Sequence, residues 1–416
     1  MKLEATDRNV FILGAGFSAD AGAPLIHDFL DRARELYLDP QAHMNDQERK
    51  KFEDVFEFRS RMSKVREKMD IDLDNIEQLF GLVEISIRLG QTERRTRDNM
   101  VYLIAKTLEI TTMQAYKQRS RIGFQLTNPL IHSNRFEHFR HRIHLEDAWY
   151  KADLYDFFAC LLTAFFDRED YQRNRNSSVI TFNYDMVLDN ALLRMGVAPE
   201  YRLDKANDTR VGIEQVTNRI EVLKLHGSTN WAICPSCQKH VKIVLGRVTD
   251  HAEQFIGLAC PTCPQQELHP LLVPPSWDKS EYAEILRPVW KKAVEELKSA
   301  TRICIIGYSV PEVDAFFRYL LTLGLSENTK LSSLIAVDYD KMSRNPEHRA
   351  EDTERPRTTV RQTWKGLLSE IFHERRFIYH SGGFAQFLCD SGSLGQLGRG
   401  EIIYGARLPF GPKLVE

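Results

Sequence analysis

Asn9-Val10-Phe11-Ile12-Leu13-Gly14-Ala15-Gly16-Phe17-Ser18-Ala19 holds an apolar run that ends abruptly at glycine. A strand buried on both faces of a parallel sheet reads this way, because neither face alternates with polar residues. From Ala19 to Arg34 the apolar residues take helical spacing. The pattern returns at Ser178-Val179-Ile180-Thr181-Phe182, which gives way to Asn183-Tyr184-Asp185 and a helix from Met186. Further strands are predicted at Val222–Leu225, Arg302–Ile306 and Leu334–Val337, each followed by polar or glycine-rich residues. Between the first two strands lies a charge-rich stretch in which Ile76, Leu79, Phe80, Val83 and Ile87 recur at helical intervals.

Strands alternating with helices predict an α/β fold, a Rossmann-like doubly wound parallel sheet whose ligands bind beyond the carboxyl ends of the strands. The expected units are a nucleotide-binding domain from 1–30 and 175–390, a mainly helical insertion at 31–174, a zinc-ribbon-like module at 232–266 and a C-terminal tail at 391–416. The tail, rich in glycine and leucine, is a candidate docking segment, and 340–366 reads as charged loop or helix. At 416 residues the chain accommodates two or three such units. Hydrophobic residues make up 43% and charged residues 27%, which supports a large core and excludes wholesale disorder. The formal charge of -2 argues against a globally basic nucleic-acid binder, while direct nucleic-acid binding through a local patch stays open. The longest apolar run, Phe157 to Phe166, reads as a buried helix and falls short of the about 20 residues a bilayer requires. Met1-Lys2-Leu3-Glu4-Ala5-Thr6-Asp7 lacks an apolar signal region, so a soluble cytoplasmic protein is expected.

Gly14-Ala15-Gly16-Phe17-Ser18-Ala19 fits the GxGxx(G/A) fingerprint between a strand and a helix. Glycine there lets the backbone turn tightly and approach a pyrophosphate at a helix N-terminus, although such turns also occur without a ligand. Ser18 is positioned to add a hydrogen bond or to cap the helix. Asn183 and Asp185 place an amide and a carboxylate at a strand end; an Asx turn or helix cap is the competing explanation. His226, before Gly227, ends another strand with an imidazole, a group that ordinarily titrates near neutrality. Gly307-Tyr308-Ser309 and Asp338 end two more, and Asp338 is suited either to ribose hydroxyls or to capping a helix. His380-Ser381-Gly382-Gly383 reads as a tight turn. Cys234, Cys237, Cys260 and Cys263 form CxxC-x22-CxxC, two knuckles that suit one tetrahedral zinc. Four thiolates leave no open coordination position, so this zinc would be structural. Cys160, Cys304 and Cys389 lie in apolar surroundings and read as inert.

The order of these motifs resembles the sirtuin family. Gly14-Ala15-Gly16-Phe17-Ser18 through Gly22-Ala23-Pro24 is similar to the sirtuin nucleotide loop, Thr181-Phe182-Asn183-Tyr184-Asp185 to its nicotinamide and ribose motif, and Leu225-His226-Gly227 to its catalytic histidine motif. Paired CxxC knuckles follow in the same order, then Gly307 and Ser309 and the ribose-binding Asp338. The resemblance covers about 8–30 and 175–390. It departs where deacylases carry glutamine, here Phe182, and where Asp-Phe-Arg is replaced by Leu25-Ile26-His27. No counterpart of the acyl-peptide groove is evident. With the helical insertion, these departures are similar to the sirtuin-like NAD hydrolases of bacterial antiphage defence, of the type paired with a HerA-type ATPase (the Nezha system).

The resemblance implies NAD as substrate, cleaved to nicotinamide and ADP-ribose, with assembly into a homo-oligomer and with the ATPase. Gly14, Ala15, Gly16, Phe17, Ser18, Gly22, Gly307, Ser309 and Asp338 are the implied NAD contacts, and Asn183 and His226 the catalytic pair, with Asp185 orienting Asn183 or its loop. An NAD-dependent protein deacylase, a non-catalytic NAD or ADP-ribose-binding subunit and a structural subunit with a vestigial site are the alternatives.

Overall fold

The structure, a computed structural model, describes residues 8–42, 44–64, 71–122, 154–162, 176–203, 208–211, 218–234, 236–238, 241–244, 258–273, 283–308, 315–339, 377–384 and 387. Ser309, Cys389, the span 340–366 and the tail at 391–416 lie outside the described residues.

The run read first, β1 (Asn9–Leu13), is the middle of a seven-stranded sheet. On one side it pairs in parallel with β2 (Ser177–Thr181), which pairs with β5 (Arg219–Lys224), and the edge is β3 (Ala198–Glu200). On the other side come β9 (Arg302–Ile306), β10 (Ser333–Val337) and β11 (Phe377–His380), again all parallel. The chain fills one half first, with β5 entering between β2 and the edge strand β3, and then crosses over β1 to start the other half at β9. That reversal makes the space beyond the carboxyl ends of β1 and β9 the topological switch point of a doubly wound sheet.

Both faces of the sheet are covered. Val10 and Ser178 are register partners, so their side chains share one face, while Phe11 and Val179 share the other. Ser178 bonds Glu296 on α8 (Ala283–Ser299), and Phe11 meets Phe158 on α6 (Leu154–Leu162) edge to face at 5.5 Å. Helix α8 therefore lies on one side and α6 on the other. Beside α6 packs α7 (Val187–Arg194), tied to it by the Arg194–Asp156 ion pair, and beside α8 packs α9 (Ala315–Leu325). Burial of Val10, Ile12, Val179, Ile180, Ile303, Ile305, Leu334 and Ile335 explains why these strands carry no polar alternation.

The helical spacing after Gly14 resolves differently from the expectation. A single continuous helix over Ala19 to Arg34 does not form; α1 (Ala15–Ala19) and α2 (Phe29–Leu38) are separated by turns around Gly22, which has φ +88°. An added Cβ on Gly22 would sit 2.6 Å from Ala115 and 2.9 Å from the Thr111 carbonyl, so this glycine lets the chain pass close against α5 (Arg94–Ile122). Together with α3 (Asp46–Ser63) and α4 (Ile76–Arg88), α2 and α5 enclose a second core around Phe52, Phe58, Leu79, Phe80 and Leu103. Asn45 and Glu48 form a capping box at the start of α3, and Asn75 caps α4. Helix α6, though inside the span 31–174, contributes Tyr155, Phe158 and Leu162 to the core of the sheet instead. No helix among the described residues is long and apolar enough to cross a membrane.

A smaller sheet is built from β4 (Asp208–Val211), β6 (Gly227–Ile233), β7 (Val241–Val244) and β8 (His269–Leu272), in the order β4-β7-β6-β8. Its central strand β6 starts at the turn holding His226 and runs directly to Cys234.

Candidate active site

The carboxyl ends of the strands are joined by a row of backbone hydrogen bonds. Asp338 N–H donates to His380, Gly307 N–H to Val337, Gly14 N–H to Ile306, Phe182 N–H to Leu13 and Leu225 N–H to Thr181, all at 2.8–3.2 Å. The row sets Asp338, Gly307, Gly14, Asn183 and His226 side by side along one edge, although they come from five different strand ends. The glycines are needed for closeness. A Cβ on Gly14 would lie 2.6 Å from the Gly307 carbonyl oxygen, and one on Gly307, at φ +64°, would collide with the backbone nitrogen of Phe17.

Gly14 is the N-cap of α1, and Gly16 N–H donates to the Gly307 carbonyl at 2.8 Å. Ser18 lies inside α1 and caps nothing, which corrects one of its two expected roles. Its hydroxyl instead accepts a hydrogen bond from Asn183 Nδ2 at 3.1 Å, while the other Nδ2 hydrogen goes to the Gly14 carbonyl at 2.9 Å. With both N–H bonds committed to the glycine loop, the carboxamide is fixed in one orientation and Oδ1 is the group it can offer to a ligand. Phe17 is buried among Tyr155, Phe158 and Phe384, with centroid distances of 4.6–5.4 Å, and Tyr155 Oη donates to its carbonyl at 2.8 Å. That aromatic packing holds the loop rigid from behind.

Asp185 Oδ1 accepts the Val187 N–H at 3.0 Å, the Asx turn weighed from the sequence. Burial pushes its carboxyl up from the ordinary range, countered by the Lys224 charge, the Val187 N–H and the Ser18 hydroxyl that faces it. His226 is buried beside Phe182, Tyr184 and Trp290, at centroid distances of 5.2, 6.1 and 6.4 Å. Trp290 Nε1 donates to the Leu225 carbonyl at 3.0 Å, and Val273 N–H to that of His226 at 2.9 Å, so the turn is clamped on both sides. The residues flanking Asn183 in sequence are the ones against the imidazole. Asp338 Oδ1 accepts the neighbouring Tyr339 N–H at 2.7 Å and the Asp338 carbonyl takes Gly383 N–H, bringing the His380–Gly383 turn beside it.

Several residues of this region were not singled out in the sequence. Lys224, Asp189 and Tyr201 lie beneath the Asn183–Asp185 turn, and Ser18, Asn183, Asp185, Asp189 and Lys224 are among the residues lining a cavity of about 10 Å³ there. The available signal was Lys224 itself, a charge within the apolar run Val222-Leu223-Lys224-Leu225.

The four cysteines of the paired knuckles gather at the end of β6. Their sulfurs all lie within 4.8 Å of one another, and Cys237 and Cys260 are 3.6 Å apart. Zinc–sulfur bonds of about 2.3 Å make the edge of a ZnS₄ tetrahedron about 3.8 Å, so the donor set fits zinc. Burial opposes charge at Cys234, yet the Cys237 and Ser236 N–H groups and adjacent thiols bring it down to about 7. At Cys263 burial and the neighbouring Cys237 and Cys234 push the thiol up to about 12. Cys304 is buried within β9, its thiol pushed upward by burial, in keeping with an inert core residue.

No family model matches the chain, and no curated protein does. Among solved structures it superposes on Sir2 with a p53 peptide and NAD+, at TM-score 0.37, 12% identity and 94% coverage of each chain. It also superposes on Sir2 with the inhibitor EX-527, 2'-O-acetyl-ADP-ribose and deacetylated p53 peptide, at TM-score 0.35 and 13% identity, covering 94% of this chain and 95% of that one. Superpositions this loose carry no argument about activity; what the site can do follows from this chain's own geometry.

Proposed function

We propose that this chain is an NAD glycohydrolase, cleaving the nicotinamide–ribose bond to give nicotinamide and ADP-ribose. The observation that carries the reading is the Asn183 carboxamide, locked by Gly14 and Ser18 at the switch point of the sheet. The pyrophosphate would rest on the Gly14–Ser18 loop, with Gly307, Ser309 and Asp338 on the adenosine side and Gly22 supporting the loop.

When the bond from ribose C1' to the ring nitrogen breaks, its electron pair leaves with nicotinamide, which departs neutral and needs no strong general acid. Water then bonds to C1', and its proton passes to His226 or to solvent. The developing charge is an oxocarbenium-like ribose, best met by groups already oriented. Asn183 Oδ1 is such a group, able to accept from a ribose hydroxyl or from the attacking water. The rings of Phe182, Tyr184 and Trp290 around His226 keep bulk water from the imidazole.

Removal of a group of this kind costs about a hundredfold or more in rate. Asn183→Ala and His226→Ala are therefore expected to abolish release of nicotinamide and ADP-ribose, followed by chromatography, while thermal melting stays near that of the parent. Near-normal turnover by either folded variant removes that residue from the mechanism. O-acyl-ADP-ribose formed from an acylated peptide would instead mark a deacylase, and tight NAD binding without turnover a binding subunit.

The cytoplasm and antiphage defence are the setting the motif resemblance supports, with NAD depletion carried out by a homo-oligomer joined to a HerA-type ATPase. Co-expression with such an ATPase, followed by mass measurement of the complex and repetition of the NAD assay with nucleic acid, tests that assembly. Separate elution of the two chains would reject it.

A further inference from the structure

Asn183-Tyr184-Asp185 follows β2, and Leu225-His226-Gly227 leads from β5 into β6. Each turn has its own anchors: the Gly14 carbonyl and Ser18 hold the Asn183 side chain, while Trp290 and Val273 clamp the His226 backbone. Those anchors fix each turn but not one against the other. Beyond the strand ladder, the hydrogen bonds that run directly between them end on two consecutive carbonyls. The Tyr184 carbonyl accepts the Thr229 N–H at 3.0 Å and the Ser228 hydroxyl at 3.3 Å. The Asp185 carbonyl accepts Lys224 Nζ at 2.6 Å.

Lys224 also donates to Ser228 Oγ at 2.8 Å, so the serine receives one bond and passes its single proton on to Tyr184. Lys224 is 1% exposed and Ser228 fully buried. A desolvated ammonium is costly unless its donors find acceptors. The last of its acceptors is Asp189 Oδ2 at 3.0 Å, and the other oxygen of that carboxylate takes the Tyr201 hydroxyl at 2.5 Å. Charge pairing needs only Asp189, on α7. The other two acceptors belong to the Asn183 turn and to the start of β6, and a neutral side chain at the end of β5 would leave them unjoined.

We propose that Lys224 and Ser228 are positioning residues that fasten the Asn183 turn to the His226 turn and so hold carboxamide and imidazole in register. Neither touches substrate; both act through the Tyr184 and Asp185 carbonyls. The inference rests on the glycohydrolase reading only for its effect on turnover, since the joining of the turns is measurable without NAD.

Lys224→Met alone would strand the Asp189 carboxylate, so one test is the double variant Lys224→Met/Asp189→Asn, which removes both charges and keeps an acceptor for Tyr201. The other is Ser228→Ala, which leaves the ion pair in place. The first readout is backbone amide exchange followed by mass spectrometry over 182–187 and 226–230. In each folded variant both segments should exchange about tenfold faster or more, while β1 and β9 keep parental rates, as expected of a local opening. A residue that merely filled the core would not single out these two segments. The second readout is turnover: kcat should fall about tenfold to a hundredfold with KM for NAD within about twofold, the signature of misaligned groups rather than a lost binding contact. Parental exchange in both segments of the folded variants overturns the proposal, and so does faster exchange with parental kcat. If the double variant does not fold, Ser228→Ala decides. If the parent does not turn NAD over, the glycohydrolase reading fails while amide exchange still decides this one.

Discussion

Lys224 pairs with the Asp189 carboxylate and donates to the backbone carbonyl of Asp185, all three residues being buried. Burial raises the Asp185 carboxyl, and the Asp189 charge raises it further, against the pull of Lys224, Val187 N–H and Ser18. The folded state thus holds this proton more tightly than the unfolded chain. The stabilisation that results is complete below the unfolded carboxylate range and is lost as pH rises through the raised value. Asp185→Asn keeps an acceptor for Val187 and removes the charge. Its melting temperature should match or exceed that of the parent near pH 8, with the difference shrinking toward about pH 4. Melts across that range check it, and a variant less stable at every pH would sink the idea. At this scale Asn183, Asp185 and His226 were legible because each is a polar residue closing an apolar strand. Lys224 was not, because a lysine after Val222 and Leu223 looks like a solvent-facing strand end until Asp189 and Tyr201 fold beneath it.

The elements most readable from sequence were β1, β2, β9 and β10, whose runs are largely apolar on both faces because helices cover both sides of the sheet. Strand β6 was hidden despite complete burial, since Ser228, Thr229 and Asn230 are polar and find their partners only in the folded chain. The turns between elements carry the strongest steric constraint. Gly307 combines φ +64° with the backbone of Gly16 and Phe17 where its Cβ would go, whereas Gly196 has φ +70° and nothing within 4 Å. Gly196→Ala should cost only the left-handed backbone penalty, about 1 kcal/mol. Gly307→Ala must also force the β1 and β9 loops apart, costing about 3 kcal/mol or more and misaligning Gly14 against Asn183. Urea midpoints of the two variants give the comparison directly, and equal losses would mean that the close approach of the two loops contributes nothing.

Across the whole molecule, the sheet, the helical block and the cysteine cluster have separate cores, and β6 is the member that links the first to the third. Trp231 and Ile233 face the sheet core, with Trp231 4.9 Å from Tyr201, while Ala232 and Cys234 join Cys260 and Leu268 on the other side. The same strand begins beside His226 and includes Ser228, an acceptor for Lys224. A metal at the far end would thus bear on the site without touching it. Binding of structural zinc by such a set contributes roughly 10–16 kcal/mol to small domains at neutral pH, far more than an apolar cluster of four buried residues can supply. Chelation, or Cys263→Ser, is therefore expected to lower the melting temperature and to cut NAD turnover together, as β6 loses its anchor and the His226 turn loosens. Metal analysis should find close to one zinc per chain before treatment, and zinc should restore both properties after chelation. Because β6 ties the ribbon to the Asn183 and His226 turns, a protein that loses its metal yet keeps full turnover would show that the contacts nearer the site, Trp231 with Tyr201 and the Val273 N–H with the His226 carbonyl among them, hold it in register without the metal.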